Sequence, residues 1–154
     1  MKRAIAFASL MATALAAGAA GAEPLAPGDV KFNGDLAVET SLTGQPGDAE
    51  AGATVVVDKK LGNCLACHAI SKMSDQLFHG NVGPSLDGVA ARYSPEGLRA
   101  ILVNSKEVFG PQTIMPGFYT LDVGVDVTEK FRGKTILSAQ DVEDVVAYLA
   151  TLQE

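Results

Sequence analysis

Tryptophan is absent from this 154-residue chain, and cysteine and histidine occur only twice each. The two cysteines, Cys64 and Cys67, are three residues apart. A disulfide between them would close too small a loop to constrain much of the unfolded chain. Zinc takes four ligands, a count reached only by recruiting His79 beside Cys64, Cys67 and His68. Positive charge is scarce as well: 12 Lys and Arg stand against 18 Asp and Glu, for a net charge of −6. That balance argues against nucleic acid or an anionic membrane surface as partner. Long apolar runs are also missing. The Ala-dominated stretch after Arg3 is broken by Ser9 and Thr13. It falls short of the roughly 20 strongly apolar residues of a membrane span. There is no internal repeat.

What stands at the N-terminus instead is the pattern of a secretory signal. Lys2 and Arg3 form a basic start, an Ala/Leu-rich stretch follows, and Ala20-Gly21-Ala22 precedes Glu23. This order predicts a signal peptide over residues 1–22, cut after Ala22. The mature protein is then exported to an oxidising space, the periplasm, as a soluble chain. Removing residues 1–22 leaves 132 residues and a net charge of −8. That length suits one domain with a modest core.

Residues 23–46 are rich in Pro and Gly without a sustained period, which predicts an extended N-terminal arm with a short strand at 30–32. The domain proper follows over 47–154. A first helix is expected from about Asp48, although the β-branched triplet Val55–Val57 favours strand by propensity. Two later helices are better punctuated. Ser94-Pro95-Glu96 is an N-cap with Pro at the first helical position, followed by Leu98, Ile101 and Leu102 on one face. Ser138 with Asp141 makes a capping box ahead of a stripe at Val142, Val145, Val146, Leu149 and Leu152. The stretch between Gly110 and Lys134 reads as a long loop with a short hairpin around 121–127; such a loop wraps something or meets a partner. The fold class is all-α with long loops.

The chemistry concentrates in Asn63-Cys64-Leu65-Ala66-Cys67-His68. Besides the disulfide and the zinc site, a redox dithiol competes, but it belongs after a strand in a βαβ unit and no such alternation surrounds it. Covalent attachment of one haem c accounts for His68 too. One helical turn sets both sulfurs along a porphyrin edge, and the next residue brings its imidazole beneath the iron. The sixth ligand then comes from Met73, His79 or Met115. Met73 and His79 are tethered to the proximal segment, and His79 reads as a surface histidine. Met115 lies 47 residues beyond His68, far enough to pass round the haem edge, with Pro116 stiffening its approach. The alternative for Met115 is gap-filling in the core. A His68/Met115 pair raises the reduction potential and leaves no open position, as an electron-transfer centre requires.

With these residues placed, the chain resembles the class I c-type cytochromes and, within them, the SoxX family. The matching stretches are GDAEAG (47–52), CLACH (64–68), GNVGPSLDGVAARY (80–93), TIMPGFY (113–119) and GKTILSAQDVEDVVAYLATL (133–152). The resemblance implies a class I cytochrome c fold carrying an N-terminal arm. It also implies a turn at Pro84 whose carbonyl accepts the proximal imidazole's second N–H. Arg92 is a candidate partner for a haem propionate, with a surface cation as the alternative. The family pairs with a SoxA haem subunit in the SoxAX complex, an L-cysteine S-thiosulfotransferase that joins thiosulfate to a cysteine of the carrier SoxYZ. Its SoxX subunit accepts the released electrons and passes them to a small cytochrome. Cysteine count agrees independently: with Cys64 and Cys67 both consumed as thioethers, no thiolate remains here for sulfur chemistry. A free-standing periplasmic electron carrier, and a haem sensor or peroxidase with an open sixth position, stay as alternatives.

Overall fold

The computed structural model describes residues 23–154; the expected signal peptide, 1–22, lies outside the described residues. Four α-helices and three short 3₁₀ turns make up the regular structure, with no strand among the described residues. The helices are α1 (Ala49–Val57), α2 (Val89–Arg92), α3 (Pro95–Phe109) and α4 (Ala139–Leu149).

Local chemistry starts each long helix where the sequence places it. Asp48 caps α1, its carboxylate accepting the N–H groups of Glu50 and Ala51 at 2.8 and 3.1 Å. Ser94 caps α3 through the Gly97 N–H, and Ser138 and Asp141 close the capping box of α4. The valine triplet of α1 is helical despite its strand propensity. Val55 and Val56 are buried against the core, and that burial outweighs a preference of a few tenths of a kcal/mol per residue.

The α1–α4 crossing is a close one. A Cβ added at Gly52 would lie 2.0 Å from the Asp144 carbonyl oxygen, so only glycine lets the two backbones meet. Val142, Val145, Val146 and Leu149 of α4 fill the space among α1, α3 and the loops. Leu152 follows them as a fully buried residue.

The N-terminal arm is laid on its own domain. Val30, Val38 and Leu42 are core residues. The expected strand at 30–32 does not form; the arm has a 3₁₀ turn at Pro27–Asp29 and an Asn33 side-chain turn, and pairs with no neighbour as a ladder. What fastens it is a buried ion pair. Arg99 of α3 donates from Nε and Nη2 to the two oxygens of Glu143 on α4, at 2.9 and 3.0 Å. The same guanidinium donates to the Val38 carbonyl at 2.9 Å, and the same carboxylate accepts the Leu42 N–H at 2.8 Å. No buried side-chain polar atom among the described residues lacks a partner. The expected hairpin at 121–127 is absent too; that loop is exposed, with Val125 wholly in solvent. No helix of the described residues is long and apolar enough to cross a membrane.

Candidate functional site

After α1 the chain turns through 58–62 and reaches Asn63, which adopts the left-handed region at φ 48°, ψ 36°. Cys64–Ala66 then forms a 3₁₀ turn, continued by the His68 N–H bonding back to the Cys64 carbonyl at 2.9 Å. The motif therefore folds as one helical turn. Leu65 points into the core, while Cys64, Cys67 and His68 line a cavity of about 580 Å³.

A loop laid across this turn orients the imidazole. The N–H groups of Gly80, Gly83 and Leu86 donate to the carbonyls of Leu65, Cys67 and Ala69 at 2.7, 2.9 and 2.9 Å. Pro84 then presents its carbonyl to His68 Nδ1 at 2.6 Å. A carbonyl only accepts, so Nδ1 carries the proton and Nε2 keeps its lone pair for a metal. The ring packs flat against Gly83, where an added Cβ would sit 2.3 Å from His68 Cε1.

Behind Pro84 a polar cluster holds the loop. Asp87 accepts from the Ser71 N–H at 2.8 Å, the Ser71 hydroxyl at 2.7 Å and the Ser85 hydroxyl at 2.9 Å. Chiefly the Ser71 bonds, and then Ser85, hold its carboxyl below the usual carboxylate range. Arg92 donates from Nη1 to the Asp87 carbonyl and from Nη2 to the Ser85 carbonyl, both at 2.8 Å. It also lines the cavity, where among the described residues it is the only Lys, Arg, Asp or Glu side chain.

The remaining lining is mainly apolar, including Leu86, Leu98, Ile101, Leu102 and Leu149. Met115 lines the same cavity from the long loop after α3. Met73 instead packs against the core. His79, expected at the surface, is half-buried and braces its own loop. Its Nδ1 accepts the Ile70 N–H at 3.3 Å, so Nε2 donates to the Met73 carbonyl at 3.0 Å.

The competing cysteine chemistries can be judged on this geometry. Cys64 and Cys67 are unpaired thiols. Desolvation pushes the Cys64 thiol up to about 12, and the neighbouring Cys67 adds to the rise. A thiol so protonated is a poor nucleophile at neutral pH. His79 spends both ring nitrogens elsewhere, and no group of three or more His, Cys, Asp or Glu among the described residues could hold a metal ion. A haem c fits what is there. Two thiols stand one turn apart, an oriented imidazole offers Nε2, and the apolar cavity lies within the roughly 300–1,000 Å³ of small-molecule sites. Thioether formation also consumes both thiols.

Cys64, Cys67, His68, Pro84, Arg92 and Met115, the residues singled out from the sequence, all line the cavity. The Asp87–Ser71–Ser85 cluster and the Arg99–Glu143 pair were not among the expected residues. The available signal for the pair was charge where a buried stripe leaves no room for it: Arg99 between Leu98 and Ile101, and Glu143 between Val142 and Val145.

The family model for cytochrome c matches residues 49–153. A chain of the crystal structure of SoxXA from P. pantotrophus is 43% identical, with a TM-score of 0.78, over 85% of this chain and 99% of that one. No curated protein sequence gives a significant match.

Proposed function

This chain belongs to the cytochrome c family, and on that premise we propose that it is the SoxX-type monohaem subunit of a SoxAX thiosulfate-oxidising complex. The observation that carries the reading is the site itself. Two thiols, an oriented imidazole and a methionine line one apolar cavity, in a chain 43% identical to a component of SoxXA along 99% of that component. When bound, the haem c supplies a one-electron Fe(III)/Fe(II) couple.

The chain's own residues do the rest. Cys64 and Cys67 would hold the group covalently, and His68, its Nδ1 proton committed to Pro84, would offer Nε2 to the iron. Met115 would offer its thioether to the iron, and Arg92, which straps the proximal loop through the Asp87 and Ser85 carbonyls, is the lining cation that would meet a propionate. The apolar lining excludes water, and a His/Met pair in such a site favours the reduced state.

Joining a carrier thiol to thiosulfate through a new sulfur–sulfur bond releases two electrons. A haem held by these residues, being a one-electron couple, would take them one at a time. No thiol of this chain is left to be the nucleophile, so that step belongs to a SoxA-like haem subunit working on a SoxYZ-like carrier. Electrons then leave to a small acceptor cytochrome. The signal pattern of residues 1–22 supports a periplasmic setting.

The assembly is tested by expressing the tagged chain with the exported haem protein encoded beside it. Recovery of a stable heterodimer supports the reading; a monomer with no affinity for that protein makes the chain a free-standing carrier. The ligand set is tested by Met115→Leu. Loss of the methionine-to-ferric-iron absorption band and new binding of added ligands support it, and an unchanged spectrum sinks it.

A further inference from the structure

The segment carrying Met115 is fastened to α3 at a break in that helix. Asn104 has φ −152° and ψ 93°, outside the helical region. The Lys106 N–H turns to the Asn104 side-chain oxygen at 3.2 Å. The Phe118 N–H donates to the Leu102 carbonyl at 2.8 Å, and the Tyr119 N–H donates to the Val103 carbonyl at 3.2 Å. One residue beyond the break, Ser105 is completely buried. Serines inside helices usually face solvent or bond back to their own preceding turn. Ser105 instead donates its hydroxyl to the Met115 carbonyl, ten residues on, at 2.6 Å. Lys106 Nζ donates to the Thr113 carbonyl at 2.6 Å and reaches the Met115 carbonyl at 3.5 Å.

We propose that Ser105, backed by Lys106, is a positioning residue that fixes the Met115 backbone and so sets how firmly its thioether is presented to the haem iron. The proposal rests on the reading of Met115 as axial ligand. A methionine side chain has three rotatable torsions and little intrinsic direction. Its placement therefore depends on where its backbone is held. Without the clamp the loop spends more time displaced, and an external ligand competes for the iron in proportion to that displaced fraction.

The test uses the oxidised, haem-loaded chain titrated with imidazole, with the methionine-to-ferric-iron band and the reduction potential recorded. Ser105→Ala should bind imidazole roughly fivefold to tenfold more tightly, the factor corresponding to one lost buried hydrogen bond, with a weakened band and a lowered potential. Val56→Ala serves as a control that destabilises the core away from the loop, and its imidazole affinity should stay at the wild-type value. Wild-type affinity and potential in Ser105→Ala, with the band present, would overturn the clamp. An equal rise in Val56→Ala would overturn it too, reducing Ser105 to a general stability role. A wild-type protein without the band, in which Met115→Leu also changes nothing, removes the ligand reading and the clamp with it. Should Ser105→Ala not accumulate, exposed Lys106→Met reads the same clamp: a rise of about twofold supports it, and no rise overturns it.

Discussion

Replacing Arg99 by Met is expected to be among the most damaging single changes outside the haem site. The guanidinium spends Nε and Nη2 on Glu143 at 2.9 and 3.0 Å and Nη1 on the Val38 carbonyl at 2.9 Å, with both side chains at most 10% exposed. Met covers much of the same volume but leaves the Glu143 carboxylate buried with the Leu42 N–H as its remaining direct donor. Breaking a buried pair by removing one partner costs about 3–5 kcal/mol, because the surviving charge loses its compensation. Against a total stability of roughly 5–15 kcal/mol that is a large share. At this chain length about 4 °C of Tm accompanies each kcal/mol, so the midpoint should fall by roughly 12–20 °C. Guanidinium denaturation followed by far-UV circular dichroism measures the free energy. Limited proteolysis measures the arm, which should be cut within 23–46 before the domain is. Removing both charges, as Arg99→Met with Glu143→Leu, should cost less than the two single changes added together. A cost below about 1 kcal/mol with the arm fully protected, or strict additivity, would refute the pair as the fastening of arm to core.

Three further outcomes follow from the same geometry. Gly83→Ala places a methyl 2.3 Å from His68 Cε1, so the imidazole must leave Pro84; the yield of haem-loaded protein and the potential should both fall, and a wild-type spectrum and potential would show that the ring tolerates the shift. Gly52→Ala forces the α1–α4 crossing apart from a 2.0 Å overlap and should cost about 3 kcal/mol or more; chemical denaturation measures it, and a loss under 1 kcal/mol would mean that the crossing yields easily. Asp87 has a folded pKa below its ordinary value, so its contribution is complete above that ordinary value, near 3.8, and is lost as pH falls through the lower folded one. Exchange of the Ser71 amide should therefore accelerate only below pH about 4, and Asp87→Asn should abolish that acid-dependent step.

The haem-binding turn was legible because its chemistry is local. Cysteines at i and i+3 with histidine next to the second need only one turn of helix to be placed, and the structure makes that turn. The starts of α3 and α4 were legible for the same reason, since Ser94 and Ser138 cap through groups three residues away. Met115 could be proposed from spacing, but its anchorage could not. Nothing in the sequence around Asn104 announces a break, which arises because Phe118 and Tyr119 compete for carbonyls the helix would otherwise use. The short strand at 30–32 and the hairpin at 121–127 do not form, because a β-branched residue is compatible with burial or with an open loop as well as with pairing. Val30 is buried without a ladder partner, and Val125 is exposed in a loop.

Taken alone, the sequence determined which cofactor this chain carries and which atoms attach it, because covalent chemistry reads residue identity at short range. Tertiary structure decided how the cavity is held in shape. The arm lies on the core through contacts between residues about 60 and 100 positions apart, Arg99 with Val38 and Leu42 with Glu143. The Met115 carbonyl meets Ser105 only after α3 has opened. Such partners share no local pattern, and what selects them is the cost of leaving a buried charge or carbonyl unpaired once the chain has closed around the site.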